Sequence, residues 1–165
     1  MYTKRTAEGI AQCEHALRLD RNLVLAHIYV GWGNIILGRA DETEAHIVEA
    51  LRLSPRDTLA YSCLSMAGLA KLHLGVYEQS VAWCRRAIEA NRNYPQVYFN
   101  MAAALAHLGR LDEARSAVKA GLVLYPAFSV TRARAAYAAV SDDPTFIATI
   151  KPVLEGMRMA GVPEL

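Results

Sequence analysis

The sequence lacks long apolar runs, has few aromatic residues and carries no excess of either charge. No apolar stretch reaches 18 residues, so we expect no membrane association, and the N-terminus lacks the apolar core of a signal peptide. Only three Phe occur among 165 residues, which favours close helix packing over an aromatic-rich sheet. The net charge of +2, with both signs interspersed, indicates that nucleic acid is not a partner.

Recognisable reaction motifs are also missing. The three cysteines, at 13, 63 and 84, are odd in number and have no CxxC spacing, which is typical of reduced cysteines in a cytoplasmic protein. No phosphate loop, nucleophile elbow, HExxH helix, dinucleotide fingerprint or EF-hand loop occurs. We therefore expect a cytoplasmic protein without catalytic residues, metal or cofactor in this chain.

What the sequence does contain is a regular recurrence of Gly and Pro. Gly38 and Pro55 are 17 residues apart, Gly109 and Pro126 have the same separation, and Gly75 precedes Gly109 by 34 residues. Each repeat of about 34 residues holds two amphipathic helical patterns, the first ended by Gly and the second by Pro. The recurrence predicts antiparallel helix pairs that stack, each burying its apolar face on the next.

These intervals divide one all-α domain, residues 1–165, into successive segments. The segments are 5–21, the second helix of a truncated repeat; 24–55, 56–92 and 95–126, three full repeats; and 127–160, capping helices. The middle repeat is three residues longer, which we expect an added turn of its first helix to absorb. We expect Asp143 to be the N-cap of a last helix starting at Pro144, and Pro152 should kink or divide that helix.

The 34-residue unit of two helices resembles the tetratricopeptide repeat (TPR). The resemblance implies an α-solenoid, a right-handed superhelix of antiparallel pairs whose first helices line a concave groove. The stretches "LAHLGRLDEARSAV" and "EGMRMAGVPE" resemble, more narrowly, the C-terminal TPR region of bacterial, rhizobial-type class III adenylate cyclases and related signalling regulators. This implies a regulatory module of a larger signalling protein, whose catalytic domain would be separate.

By the same resemblance, certain positions of the first helices form a partner-binding groove. The groove is nearly uncharged, so we expect it to bind an apolar or amphipathic helical segment of a protein or peptide. Its residues are Leu25, Ile28, Trp32, Ile35, Ile36, Ser62, Ser65, Leu69, Leu72, His73, Gln96, Phe99, Asn100, Ala103, Ala106 and His107.

Two alternatives stay open at this point. In the first, Trp32, Ile35 and Phe99 are core residues covered by the chain's own last helix. The apolar residues of that helix are Phe146, Ile147, Ile150, Val153, Leu154 and Met157. In the second, the chain forms a homodimer through the groove or through its uncovered N-terminal helix.

Of the five histidines, only two occupy positions that suggest a shared metal site. His73 and His107 occupy the same slot of adjacent repeats, but no Cys or carboxylate lies in neighbouring slots, whereas zinc normally needs further ligands. We therefore expect these two to line the groove without metal. The other histidines, His15, His27 and His46, show no pattern of partners.

Overall fold

The structure is a computed structural model that describes residues 2–55 and 58–165. Within these residues it contains nine α-helices and no β-strand. The helices are α1 Tyr2–Leu19, α2 Val24–Ile36, α3 Thr43–Leu53, α4 Ala60–His73, α5 Tyr77–Ala90, α6 Pro95–His107, α7 Leu111–Leu124, α8 Val130–Val140 and α9 Pro144–Met159. None of these helices is long and apolar enough to cross a membrane.

Helices α2 to α7 form three antiparallel pairs, each packed on the next. Two residues after the first helix of each pair ends, the chain passes through a glycine with positive φ, namely Gly38 at 70°, Gly75 at 72° and Gly109 at 73°. Glycine adopts this left-handed conformation without the strain that a Cβ would cause, so the chain reverses sharply at these points. The predicted stack of helix pairs is confirmed.

The two helices of a pair approach closely because a small residue lies where they cross. A Cβ on Gly68 would lie only 2.8 Å from the Cys84 Sγ. At the equivalent crossings the Thr43 hydroxyl donates to the Gly31 carbonyl at 3.0 Å, and the Ser80 hydroxyl donates to the Gly68 carbonyl at 2.8 Å. These buried hydrogen bonds satisfy both hydroxyls and fix the spacing of each pair.

The longer middle repeat does not gain a helical turn. Helix α4 has 14 residues, against 13 in α2 and 13 in α6. The extra length therefore lies mainly in the connection 54–59, part of which is outside the described residues.

The two C-terminal helices turn back instead of continuing the stack. Helix α8 makes little contact with α7, whereas α6 packs extensively on α5; α8 pairs with α9, and α9 packs mainly on α6. The Asp143 side chain accepts hydrogen bonds from the amides of Thr145 and Phe146 at 2.8 and 3.0 Å, which confirms the N-cap. Helix α9 continues through Pro152 without dividing.

Candidate functional site

The groove is the concave surface formed by α2, α4 and α6, and α9 crosses it near the C-terminal ends of these helices. At α4, the His73 Nδ1 lies 2.7 Å from the Thr149 hydroxyl. At α6, the His107 Nε2 donates to the Pro152 carbonyl at 2.7 Å. Two histidines of the stack therefore attach α9 to the groove.

The surroundings of His73 keep its imidazole neutral. The ring is 5% exposed, stacks on Phe146 at 5.4 Å and meets Tyr137 edge-on at 6.2 Å. The Thr149 hydroxyl donates its only proton to the Phe146 carbonyl, so the His73 Nδ1 must donate to Thr149, which leaves the buried Nε2 without a partner. Burial lowers the pKa of His73 to about 4, because the charged form would be desolvated.

The third-repeat end of the groove is filled by the chain itself. Phe99 is 0% exposed, and its ring stacks on Phe128 with centroids 3.7 Å apart. A Cβ on Gly156 would lie 2.7 Å from the Ala103 carbonyl oxygen, so the α9 backbone rests directly on α6. The Phe99 and Ala103 side chains are therefore closed to a partner in this conformation.

The structure separates the groove residues predicted from the sequence into two sets. Those that are buried are Ile35, Ile36, Ser65, Leu69, Leu72, His73, Phe99, Asn100, Ala103 and Ala106. Those that are exposed or half-buried are Leu25, Ile28, Trp32, Ser62, Gln96 and His107. Most of the buried set belongs to one core shared with α9, as in the alternative in which the last helix covers part of the groove.

Helices α2, α4 and α6 together line an accessible part of the groove beside Trp32, and we call it the open groove. Trp32, 37% exposed, lines two cavities there, one of about 300 Å³ and one of about 310 Å³. The residues of the first cavity are Ile28, Tyr29, Trp32, Ser62, Ser65, Met66, Leu69, Tyr94, Gln96 and Asn100. The second lies between this surface and α8, and α8 contributes Arg132, Ala133, Ala136, Tyr137 and Val140 to its wall.

Some residues that line the open groove were not predicted from the sequence. Tyr94 and Phe128 line the two cavities from the connections before α6 and α8. They are 34 residues apart, so the repeat interval itself could have identified them as equivalent. Arg132 lies in the groove because α8 turns inward, for which the sequence carries no local signal.

His27 and His46 form a contact that the sequence interpretation failed to find. Their Nδ1 atoms lie 3.0 Å apart, between α2 and α3. The His27 Nε2 donates to the Arg21 carbonyl, so in the neutral pair the His46 Nδ1 must donate to the His27 Nδ1. Burial, and then His27, lower the pKa of His46. In the described part of the chain, no three His, Cys, Asp or Glu side chains gather as a metal site.

Comparison with known proteins identifies the architecture of the chain. Two family models described as tetratricopeptide repeat match residues 61–94 and 83–116. The crystal structure of MamA superposes with a TM-score of 0.67 and 18% identity, covering 90% of this chain and 86% of MamA. The fold is a tetratricopeptide-repeat solenoid. No curated protein matches the sequence.

Other TPR solenoids are equally similar in fold. A second MamA structure, of AMB-1, has a TM-score of 0.66 and 22% identity, covering 96% of this chain and 90% of that one. YrrB is described as a TPR protein with an unusual peptide-binding site. It superposes with a TM-score of 0.64 and 21% identity, covering 95% of this chain and 82% of YrrB. At these identities the likeness concerns the fold alone.

Proposed function

We propose that this chain is a protein–protein interaction module whose open groove binds an apolar or amphipathic segment of a partner. The observation that carries the proposal is the partial exposure of Trp32 between two cavities. A large aromatic side chain in a preformed, mostly apolar concavity is the typical centre of a binding surface. The peptide-binding site of the similarly folded YrrB supports the same use of the fold.

The size and polarity of the open groove restrict what binds there. Its cavities of about 300 and 310 Å³ suit one or two large side chains rather than a whole long helix. Ser62 and Gln96 offer hydrogen bonds beside Trp32, and Arg132 is the cation on the α8 wall. The segment we infer therefore presents one or two apolar side chains flanked by polar backbone.

The two tryptophans of the chain provide a matched test. Trp83 is half-buried, donates its Nε1 to Glu44 at 3.2 Å and lies under Arg86, away from the cavities around Trp32. Peptides selected from a random displayed library on the full chain should lose about 30-fold in affinity on Trp32→Ala, the effect of removing a binding hot spot. Trp83→Ala should leave their affinity unchanged. A selected set that is insensitive to Trp32→Ala would contradict the proposal.

We further propose that the partner belongs to a signalling system, with this chain as the regulatory part of a larger protein such as a class III adenylate cyclase. The sequence resemblance of "LAHLGRLDEARSAV" and the C-terminal tail supports this context. Sequencing the transcript that encodes the chain tests this signalling context. A cyclase or DNA-binding domain in the same reading frame is the expected result, and a frame without one would remove the basis for this context.

Self-association is the second candidate function, and helix α1 favours it. Gly9 and Cys13 are equivalent by repeat position to Ser80 and Cys84, which are 0% exposed beneath α4. In α1, Gly9 is exposed and Cys13 half-buried, and a Cβ on Gly9 would meet nothing within 4 Å. Light scattering decides between the candidates, because a mass that stays monomeric over a hundredfold range of concentration would exclude a homodimer.

A further inference from the structure

His27 of α2 and His46 of α3 form a contact that has no ionisable counterpart in the other two repeats, and we call it the histidine pair. Their Nδ1 atoms lie 3.0 Å apart. The residues at the same two positions are Leu64 and Trp83 in the second repeat, and Tyr98 and Ala117 in the third. None of these four side chains ionises near neutral pH. The contact between the two helices of a repeat is therefore sensitive to protons at this place in the first repeat and insensitive in the others.

His27 also makes a structural hydrogen bond that a tyrosine makes in the third repeat. The His27 Nε2 donates to the Arg21 carbonyl at 3.0 Å, and the Tyr98 hydroxyl donates to the Arg92 carbonyl, also at 3.0 Å. Each bond attaches the start of a first helix to the connection that precedes it. A histidine at this position keeps that bond through Nε2 and, unlike tyrosine, presents a second nitrogen, Nδ1, to His46.

The number of protons on the ring nitrogens decides whether the histidine pair can stay in contact. In the neutral pair the His46 Nδ1 donates to the His27 Nδ1, and the His27 Nε2 carries the other proton. One added proton binds at the His46 Nε2 and leaves that hydrogen bond intact. A second added proton can bind only at the nitrogen that accepts the bond, so two N–H groups on two cationic rings would face each other at 3.0 Å. The doubly protonated pair must therefore separate.

The carboxylates near the histidine pair favour its first added proton but cannot accommodate the second. Burial and then His27 lower the pKa of His46, whereas Glu14 of α1 and Glu42 raise it. Glu49 of α3 interacts with His27 as well. These carboxylates compensate one positive charge, but none of them can come between two Nδ1 atoms that are 3.0 Å apart.

The elements around the histidine pair also carry cations, and most of these have partners. They include Arg18 beside His15, Arg39 with Glu42, Arg52 with Glu49, Lys71 of α4 with Glu44, His73 of α4 with Thr149, and Arg21, whose side chain is exposed to solvent. Helix α2 itself has no acidic or basic side chain besides His27. Like charges disfavour further protonation, so these cations also oppose a second proton on the closed pair.

We propose that the histidine pair is a pH switch that separates α2 from α3 when the pair binds a second added proton. The two helices stay together while the pair is neutral or holds one added proton. Both rings are half-buried, so protons reach them from solvent. Opening is confined to the first repeat, because the second and third repeats have no ionisable pair at this place. The switch is independent of the proposed partner binding at Trp32.

Amide hydrogen exchange of the full chain, followed by NMR, measures the opening of the switch. A histidine released from the pair takes its proton with the ordinary pKa of about 6.5, so the closed pair is favoured above about pH 6.5 and loses its advantage below it. Protection factors in α2 and α3 should therefore fall by about tenfold or more between about pH 7 and about pH 5. At about pH 5 they should also be at least about tenfold lower than in α6 and α7, because the opening is local.

The matched variant places the third-repeat residues at both positions of the histidine pair. His27→Tyr/His46→Ala keeps a donor for the Arg21 carbonyl and has no group to protonate, so protection in α2 and α3 should change by less than about twofold over the same pH range. His46→Asn makes the same comparison with one ring changed, since its amide can donate to or accept from His27. His15→Asn is the control, because it removes an exposed histidine of α1 outside the pair and should keep the full fall in protection.

Several results would overturn the proposal. Unchanged protection of α2 and α3 across the pH range would show that the pair does not open. An equal fall in the chain without substitutions and in His46→Asn or His27→Tyr/His46→Ala would assign the acid sensitivity to other groups. Loss of the fall in His15→Asn would assign it to His15, and equal protection of α2, α3, α6 and α7 in acid would show that the whole chain opens together.

Discussion

The first and third repeats present equivalent positions to the groove, but these positions are accessible in the first repeat and buried in the third. Ile28 and Trp32 of α2 correspond by repeat interval to Phe99 and Ala103 of α6. Trp32 is 37% exposed, whereas Phe99 and Ala103 are fully buried. The α9 backbone rests on α6 at Ala103, because a Cβ on Gly156 would lie 2.7 Å from the Ala103 carbonyl oxygen. The same repeated position is thus covered in the third repeat and accessible in the first.

The largest expected effect on stability comes from shortening a buried side chain at the filled end of the groove. Phe99→Ala should lower the free energy of unfolding by about 4 kcal/mol, because it leaves a cavity beneath Phe128. Ile28→Ala, at the equivalent position of the open end, should cost no more than about 1.5 kcal/mol, since Ile28 is only half-buried. Urea denaturation of both variants measures the difference. Equal losses would show that the two ends are packed alike.

The filled end should also make stability depend on pH. The pKa of His73 is lowered to about 4 in the folded chain, so the unfolded chain binds more protons below its ordinary pKa of 6.5. The stabilisation is therefore present above pH 6.5 and lost as pH falls through about 4, a total of about 3 kcal/mol.

Replacing His73 by the first-repeat residue isolates this contribution. His73→Ile introduces the side chain found at the equivalent Ile36, and it should flatten the fall of unfolding free energy between pH 6.5 and 4. His46, whose pKa is also lowered, is present in both proteins and contributes equally. The measurement is urea denaturation across this pH range, and an unchanged slope in His73→Ile would contradict the burial of His73.

A smaller effect is expected where α9 touches α6. Gly156→Ala places a Cβ within 2.7 Å of the Ala103 carbonyl and should lower stability by about 1 to 2 kcal/mol despite the better helix propensity of Ala. Gly9→Ala in α1 is the control, because its Cβ meets nothing within 4 Å and it should stabilise by about 0.5 to 1 kcal/mol. Thermal unfolding of the two variants compares them, and stabilisation by both would mean that α9 is not seated on α6.

The sequence predicts the stack well because its signals are local. Gly38, Gly75 and Gly109 must end helices, and the recurring small residues must lie at helix crossings, whatever the rest of the chain does. The inward turn of α8 and α9 depends instead on contacts between distant residues, such as Phe128 on Phe99 and the Ser141 hydroxyl on the Ile36 carbonyl at 2.6 Å. No periodicity encodes such contacts, so the division of the groove into filled and open ends required the structure.

The most direct test of this division compares two engineered cysteines at equivalent positions. In a Cys13→Ser background, Trp32→Cys and Ala103→Cys are treated with a thiol reagent; the remaining Cys63 and Cys84 are buried and should react slowly. We predict that the cysteine at 32 reacts at least about 100-fold faster than the one at 103, with both reacting fully in denaturant. Equal rates in the folded protein would contradict the account, because they would show that α9 does not cover the third repeat.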